Sequence, residues 1–448
     1  MTAMSVAAVS RARVGERLEV IAGVVLVGCV AVAPWLITPI APSTERRLSA
    51  MVTTGVAFWV ASLITRRRRP AIPEWLTAAV FGVVAYAGAM LVTGLWASSR
   101  TSVDVVFAVI PVLVAGLAMV DIARSPAVRE ALLWAMSGSG ALLALAGLLE
   151  RIGIGRTWTD PDPLIAGTPF ATFGYHGNAA TFLALALIAA LLLDVLCRRA
   201  RRALAARVAR VSGLVIGFGI AANVSKAGLV LAVMIVAAWM WSVRRAGVES
   251  PRRPTVVLGG AAVVVLGVAS AWSRWAEVSG AMSTDGGRWL SWRVTLHLWG
   301  RSPVTGSGPG TYKVLMADVV AEEVPELYRR WIVQQYVPGQ RVSMWMHAHD
   351  DALQALAEWG LIGTALLATV VGGTLVTAIR GARRAPPTDR VVLLAGAIAL
   401  GAVLVHALVD FPFQVASVQL AVAAWAAVVL STAMREAWPL SVSRMNQS

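Results

Sequence analysis

The feature that most constrains this chain is a repeating length. Runs of about 17 to 25 apolar residues, enough for a helix to cross a bilayer, recur along most of it. We count twelve, at about 18–38, 48–64, 75–95, 104–121, 130–149, 178–196, 208–223, 226–243, 255–273, 352–379, 391–409 and 416–434. With 58% hydrophobic and 14% charged residues in 448, this much apolar surface cannot be buried inside a water-soluble domain. The expected class is an all-α polytopic membrane protein of about 12 transmembrane helices. The seventh and eighth runs are one apolar stretch broken only at Asn223-Val224-Ser225-Lys226, which reads as a tight hairpin at a membrane face.

The formal charge of +15 would suggest nucleic acid for a soluble protein. Here the cations fall in short clusters between apolar runs, so they report topology and exclude a nucleic-acid partner. With both termini cytoplasmic, 25 of the 39 Lys and Arg lie in inner segments, among them Arg66 to Arg69 and the six-Arg cluster from Arg198 to Arg210. Eight of the other 14 sit in one long outer loop, whose length exempts it from the positive-inside rule. Arg11, Arg13 and Arg17 before the first run suggest a retained signal anchor. Cys29 and Cys197 fall at different depths, so no disulfide is expected.

The organisation that follows is nine membrane helices in 1–273, an extracytoplasmic loop in 274–351, and helices ten to twelve with a cytoplasmic tail in 352–448. This topology places His176, His297, His347, His349 and His406 at or beyond the outer face. Histidine titrates nearest neutrality, so its crowding on one face points to chemistry or a proton site there. Within the loop, Trp289, Trp292, Leu296 and Trp299 recur at helical spacing. A Trp-rich stripe of this kind suits a short helix lying in the membrane interface.

Several residues in and around the loop carry candidate chemistry. Arg288 follows Gly286-Gly287 at a helix start, and Arg293 lies on the helix, four residues before His297. A guanidinium grips a phosphate with two hydrogen bonds, although Arg beside Trp also serves as an interface anchor. Gly306-Ser307-Gly308-Pro309-Gly310-Thr311-Tyr312-Lys313 lacks the ending of a nucleotide P-loop and reads as a turn or an anion nest. Lys226, at the mouth of the broken hairpin, is either an intramembrane functional cation or a solvated hairpin tip.

Met346-His347-Ala348-His349-Asp350-Asp351 leads into an apolar helix on which Asp351, Gln354 and Glu358 form a polar stripe. Either that helix begins above the membrane or the stripe lines a wet cavity. A histidine here can accept a proton from a hydroxyl. The stretch His406 to Gln414, with its Asp410-Phe411-Pro412 turn, reads slightly better as structural. No Cys/His spacing suits zinc and no acidic motif suits a diphosphate-bound metal, so no cofactor and a metal-independent site are expected.

From about 170 to 430 these residues resemble the bacterial O-antigen ligase and O-antigen polymerase family of C-type glycosyltransferase-like membrane enzymes. The resemblance rests on Gly174 to Asn178, Ser225-Lys226-Ala227-Gly228, Gly287 to Trp292, Pro303 to Gly310, His347-Ala348-His349-Asp350 with Leu353-Gln354 and Glu358 to Gly363, and His406 to Pro412. It implies an enzyme of the bacterial cytoplasmic (inner) membrane acting on the extracytoplasmic face. The implied reaction moves a lipid-linked oligosaccharide or polysaccharide from undecaprenyl diphosphate to a hydroxyl of a lipid or glycan acceptor. Membrane lipids surround it.

By the same resemblance His349, with His347 beside it, is the acceptor-activating residue and Arg288 holds the diphosphate. Lys226, Arg293, Asn178, Asp350 and His406 form the expected substrate-binding set. Two departures stand out: Lys226 where the family has Arg, which loses a bidentate grip, and Asp350 where it has Asn, which adds an anion near the base. A polymerase or a protein O-glycosylating relative fits the same residues. From other classes, the alternatives are a transporter of anionic or lipid-linked substrates, with Lys226 and the acidic stripe as its site, and a non-catalytic sensor or scaffold.

Overall fold

The computed structural model describes residues 3–36, 42–96, 100–154, 170–223, 225–247, 288–329 and 346–437. Its helices are α1 (Ala3–Leu36), α2 (Pro42–Arg66), α3 (Glu74–Val92), α4 (Arg100–Ile122), α5 (Pro126–Arg151), α6 (His176–Arg199), α7 (Ala203–Ala222), α8 (Lys226–Arg245), α9 (Arg288–Arg301), α10 (Tyr312–Glu323), α11 (Asp351–Arg384), α12 (Pro387–Ala407) and α13 (Ala416–Ala437). All except α9 and α10 are long and apolar enough to span a bilayer, giving eleven candidate spans among the described residues. The protein is a polytopic all-α membrane protein. The ninth expected span, 255–273, lies outside the described residues.

Helix α6 is the axis of the bundle. Its sequence from Ala179 to Leu193 is apolar all round, the signature of a helix enclosed by others, and 89% of its central window is buried. It packs against α5, α7, α8, α12 and α13. The two least distinct apolar runs are separate helices, α7 and α8, and the Ser225 hydroxyl caps α8 by accepting from Gly228 N at 3.0 Å.

The two ends of the bundle differ in chemistry. One gathers Arg66, Arg68, Arg198, Arg199, Arg202, Arg383 and Arg384, with Arg199 donating to Thr388 Oγ1 at 2.6 Å. It also holds a buried lock. Asp121 accepts from Arg68 Nη2 at 2.8 Å, Trp59 Nε1 at 2.8 Å and Ala71 N at 2.8 Å, joining α2, α4 and the turn before α3. Asp121→Ala leaves three donors without their acceptor and should cost about 3 to 5 kcal/mol, read as a lower unfolding temperature in detergent.

The other end carries the starts of α6, α8, α9 and α11 and the end of α12. The expected boundary at 351/352 falls at the start of α11. The first turns of α11 belong with the loop: Ala357 packs in one apolar cluster with Val294, Leu298, Tyr312, Met316, Val319, Val320 and Ala348. On α9, Ser291, Val294, Thr295 and Leu298 are buried, whereas Trp289 is 77% and Leu296 47% exposed; Trp292 and Trp299 are half-buried, Trp299 packing on the same cluster.

Candidate functional site

The site is assembled around a break in α11. At Gly360 (φ 65°, ψ −175°) the backbone leaves helical geometry, which frees carbonyls before the break and amides after it. The 303–308 loop takes both. Ser307 N donates to Ala357 O at 2.9 Å and Gly308 N to Glu358 O at 2.8 Å, while Leu361 N donates to Pro303 O at 3.0 Å. The backbones approach so closely that a Cβ on Gly306 would stand 2.3 Å from Glu358 O. The glycine-rich motif is therefore a docking strand: Ser307 N and Gly308 N are already engaged, so they form no anion nest. Tyr86 Oη and Trp96 Nε1 donate to Thr305 O at 2.9 and 3.1 Å, fixing the loop to α3 and the segment after it.

The polar stripe is the second seam between α11 and its surroundings. Glu358 accepts from Tyr312 N at 3.0 Å, at the start of α10. Gln354 Oε1 accepts from Ala348 N at 3.1 Å, and Asp351 accepts from Phe413 N at 2.7 Å and Gln414 Nε2 at 3.0 Å. All three side chains are buried, so the stripe holds adjoining backbone in place and does not face open water. Each otherwise costly buried polar group has a partner.

These seams hold the two histidines of the loop. His349 has φ +53°, a left-handed conformation unfavourable for a β-carbon residue. It is fixed on both sides. Ala348 O accepts from Ser291 Oγ at 3.1 Å, His349 O from Trp292 Nε1 at 3.4 Å, and Asp350 caps α11 by accepting from Leu353 N at 3.0 Å. His349 Nδ1 consequently faces Asp410 Oδ1 at 3.5 Å, and its ring meets Tyr175 and Phe411 edge-on at 5.9 and 5.0 Å. His347 stacks on Phe411 at 4.3 Å.

Asp410 is the centre of the cluster. Its side chain is 2% exposed, and Oδ2 lies 3.6 Å from His406 Nε2. Burial acts to raise the carboxyl's pKa, but His349, His406 and Arg288 override it and hold the group below the usual carboxylate range. Burial, with Asp410 beside it, pushes the Tyr175 phenol upward, against the Arg288 guanidinium within hydrogen-bonding reach of its hydroxyl. Gly177 backs the pair, because a Cβ there would fall 2.1 Å from Asp410 Oδ2 and 2.5 Å from Tyr175 Cε1.

Desolvation, with His349 and Lys313 nearby, pushes the His347 pKa down to about 4. The sign follows directly. The unfolded ring binds a proton near its ordinary value of about 6.5 and the folded ring does not, so this residue's contribution is complete above that value and declines as pH falls towards 4. His347→Gln should therefore lessen the drop in unfolding temperature between pH 7 and pH 5.

The expected site residues separate into three groups. Arg288, His347 and His349 converge with Asp410 and Tyr175. Asn178, in the first turn of α6, and Lys226, exposed at the start of α8, lie at the same end, because Asn223 in the intervening hairpin donates to His176 O at 2.7 Å. The remaining three are used differently from the sequence expectation. Arg293 and His297 both reach Glu323 on α10, at 3.4 and 3.3 Å, in place of each other. Asp350 is 9% exposed and spends its carboxylate on the helix cap. His406 lies behind Asp410, with a side chain 1% exposed.

Asp410 and Tyr175 were missed as site residues. The available signal for Asp410 was its spacing from His406, two ionisable groups four residues apart at the end of an apolar helix. The role of Asp350 also removes the concern about its charge. As caps Asp and Asn are equivalent, so Asp350→Asn should change stability by less than about 0.5 kcal/mol and leave transfer activity near the parent level. Among the described residues, no three His, Cys, Asp or Glu side chains converge closely enough to hold a metal ion.

Fold and site together define a polytopic membrane protein with a histidine–carboxylate site at the end opposite its arginine-rich one, roofed by a loop docked into a broken helix. Residues 211–368 match the family described as O-antigen ligase. The match supports the O-antigen ligase family, whose members are membrane glycosyltransferase-like enzymes of ligase and polymerase type acting on lipid-linked glycans. The match contains Lys226, Arg288, His347 and His349, whereas Tyr175, His406 and Asp410 lie outside it. No curated protein sequence matches the chain.

Proposed function

We propose that the protein transfers a glycan from an undecaprenyl-diphosphate carrier to an acceptor hydroxyl, on the extracytoplasmic face of a bacterial inner membrane and without a metal. The observation that carries this reading is the pinned His349 facing Asp410. A carboxylate at Nδ1 holds that nitrogen protonated and leaves Nε2 free to take the acceptor proton. As the hydroxyl oxygen bonds to the anomeric carbon, the bond from that carbon to the diphosphate oxygen breaks. Negative charge then builds on the leaving group, where Arg288, and Lys226 across the hairpin, supply cations.

The arrangement of the ends supports the chosen face. The site lies away from the arginine-rich end, which the positive-inside rule assigns to the cytoplasm. The exposed Trp289 and Leu296 beside Arg288 offer the polyprenyl chain a membrane-level approach. Arg288→Ala should raise the KM for donor lipid and lower kcat, together about 100-fold in kcat/KM, with Arg288→Lys intermediate because it keeps charge and loses the bidentate grip. Steady-state kinetics with reconstituted protein and a lipid-linked glycan checks this. Product size then distinguishes one addition to a foreign acceptor, the ligase reaction, from a ladder on the carrier, the polymerase reaction.

A further inference from the structure

His406 is the buried ionisable group that this mechanism leaves without a task. Its Nδ1 lies 2.6 Å from Thr181 Oγ1, and that hydroxyl is 3.3 Å from Gly177 O, its helical neighbour one turn back. With the hydroxyl hydrogen directed to Gly177, Thr181 accepts from His406 Nδ1–H. The neutral ring then turns a bare Nε2 towards Asp410 Oδ2. Two acceptors facing each other form no hydrogen bond, which the 3.6 Å separation allows. One proton placed between them would convert the contact into a charge-assisted bond.

We propose that His406 is a positioning residue that acts on His349 through Asp410, by holding a proton position on the carboxylate oxygen that His349 does not use. This rests on the functional reading above. With that position empty, the full charge of Asp410 is available to the His349 imidazolium formed when the acceptor loses its proton. With it filled, the charge is divided between two histidines and His349 is a weaker base. The other charged or titratable groups acting on His406 or Asp410 are Arg288 on α9, Tyr175 before α6, His347 before α11 and Asp351 at its start.

The test compares the parent, His406→Gln and Thr181→Val in liposomes with a lipid-linked glycan donor, measuring kcat and KM from pH 5 to 9. His406→Gln should keep the plateau kcat within about threefold and the donor KM within about twofold, because Asp410 carries its full charge there in parent and variant alike. The pH of half-maximal kcat on the acid side should move upward by about half a unit or more, because a second proton can no longer draw on Asp410. Thr181→Val should shift the same limb while keeping the histidine.

A kcat loss with no displacement of that limb in either variant would indicate a packing role and overturn the proposal, as would kinetics indistinguishable from the parent. A readout independent of activity is the ¹⁵N spectrum of histidine-labelled protein in bilayers, with His406 identified by its loss in His406→Gln. A protonated Nδ1 and bare Nε2 above neutral pH are expected, and the opposite tautomer overturns the proposal. That tautomer, found together with no glycan transfer by the parent from any donor, would support the arrangement and refute the assigned reaction.

Discussion

His349→Ala is expected to leave the protein inserted and folded while lowering glycan transfer by about 10²- to 10⁴-fold, the range for removing a positioned general base. The expectation rests on how firmly this residue is held. Its left-handed backbone persists because Ala348 is bonded on both its N–H and its carbonyl, and Asp350 is committed to the helix cap. His349→Asn is the sharper control, since Asn tolerates the same backbone conformation but offers no imidazole. Both variants should keep the parent's unfolding temperature within a few degrees. Transfer at the parent rate in either one would sink the assignment of His349.

Gly360→Ala should be strongly damaging for a single added methyl. Its φ of 65° with ψ of −175° is open to glycine and little else, and the added Cβ would lie 2.3 Å from Val304 O and 2.5 Å from Gly306 N. Relief requires the 303–308 loop to withdraw, which breaks its bonds to Ala357 and Glu358 and loosens the roof that carries α9 and Arg288. A loss of about 3 kcal/mol or more is expected, with faster hydrogen exchange at Ser307 and Gly308 and little residual transfer. Gly372 lies on the same helix with open space at its Cβ position, so Gly372→Ala should be neutral or slightly stabilising. Gly306→Ala should repeat the Gly360 phenotype, and the double variant should be little worse than either single one, because both disrupt one seam.

Both predictions rest on features that were legible in the chain to different degrees. The glycines of the 303–310 stretch and the Trp359-Gly360-Leu361-Ile362-Gly363 motif were visible as unusual, but their reason was not. A glycine selected for close backbone approach looks the same in sequence as one selected for a turn, and the approaching strand lies some fifty positions away. The polar stripe on α11 was visible too, and here the period of the helix was informative: Asp351, Gln354 and Glu358 do share a face. What they face was undetermined, since a bonded buried carboxylate and one lining a cavity have the same spacing.

His349 stood out because the chain has only five histidines, and Arg288 because it follows Gly286-Gly287 in the one long outer loop, not because arginine is scarce. Arg293, Asp350 and His406 show the limit of that logic. Each is the right residue type near the right place, yet one binds a carboxylate on α10, one caps a helix and one lies beneath the carboxylate that the others face. Asp410 was underrated because the Asp-Phe-Pro turn gives it a sufficient local role. Its importance comes from what approaches it from α6, α9 and the start of α11.

By itself, then, the sequence determined that the chain lives in a membrane, where its helices run, and which end carries the arginines and which the histidines. Those properties follow from hydropathy, length and charge, which act on contiguous residues. Only the tertiary structure decided which of the polar residues meet. Helix ends close in space can be hundreds of residues apart, as Thr181 and His406 are, and neither the choice of partner nor the 3.5 and 3.6 Å contacts of Asp410 leave a local trace.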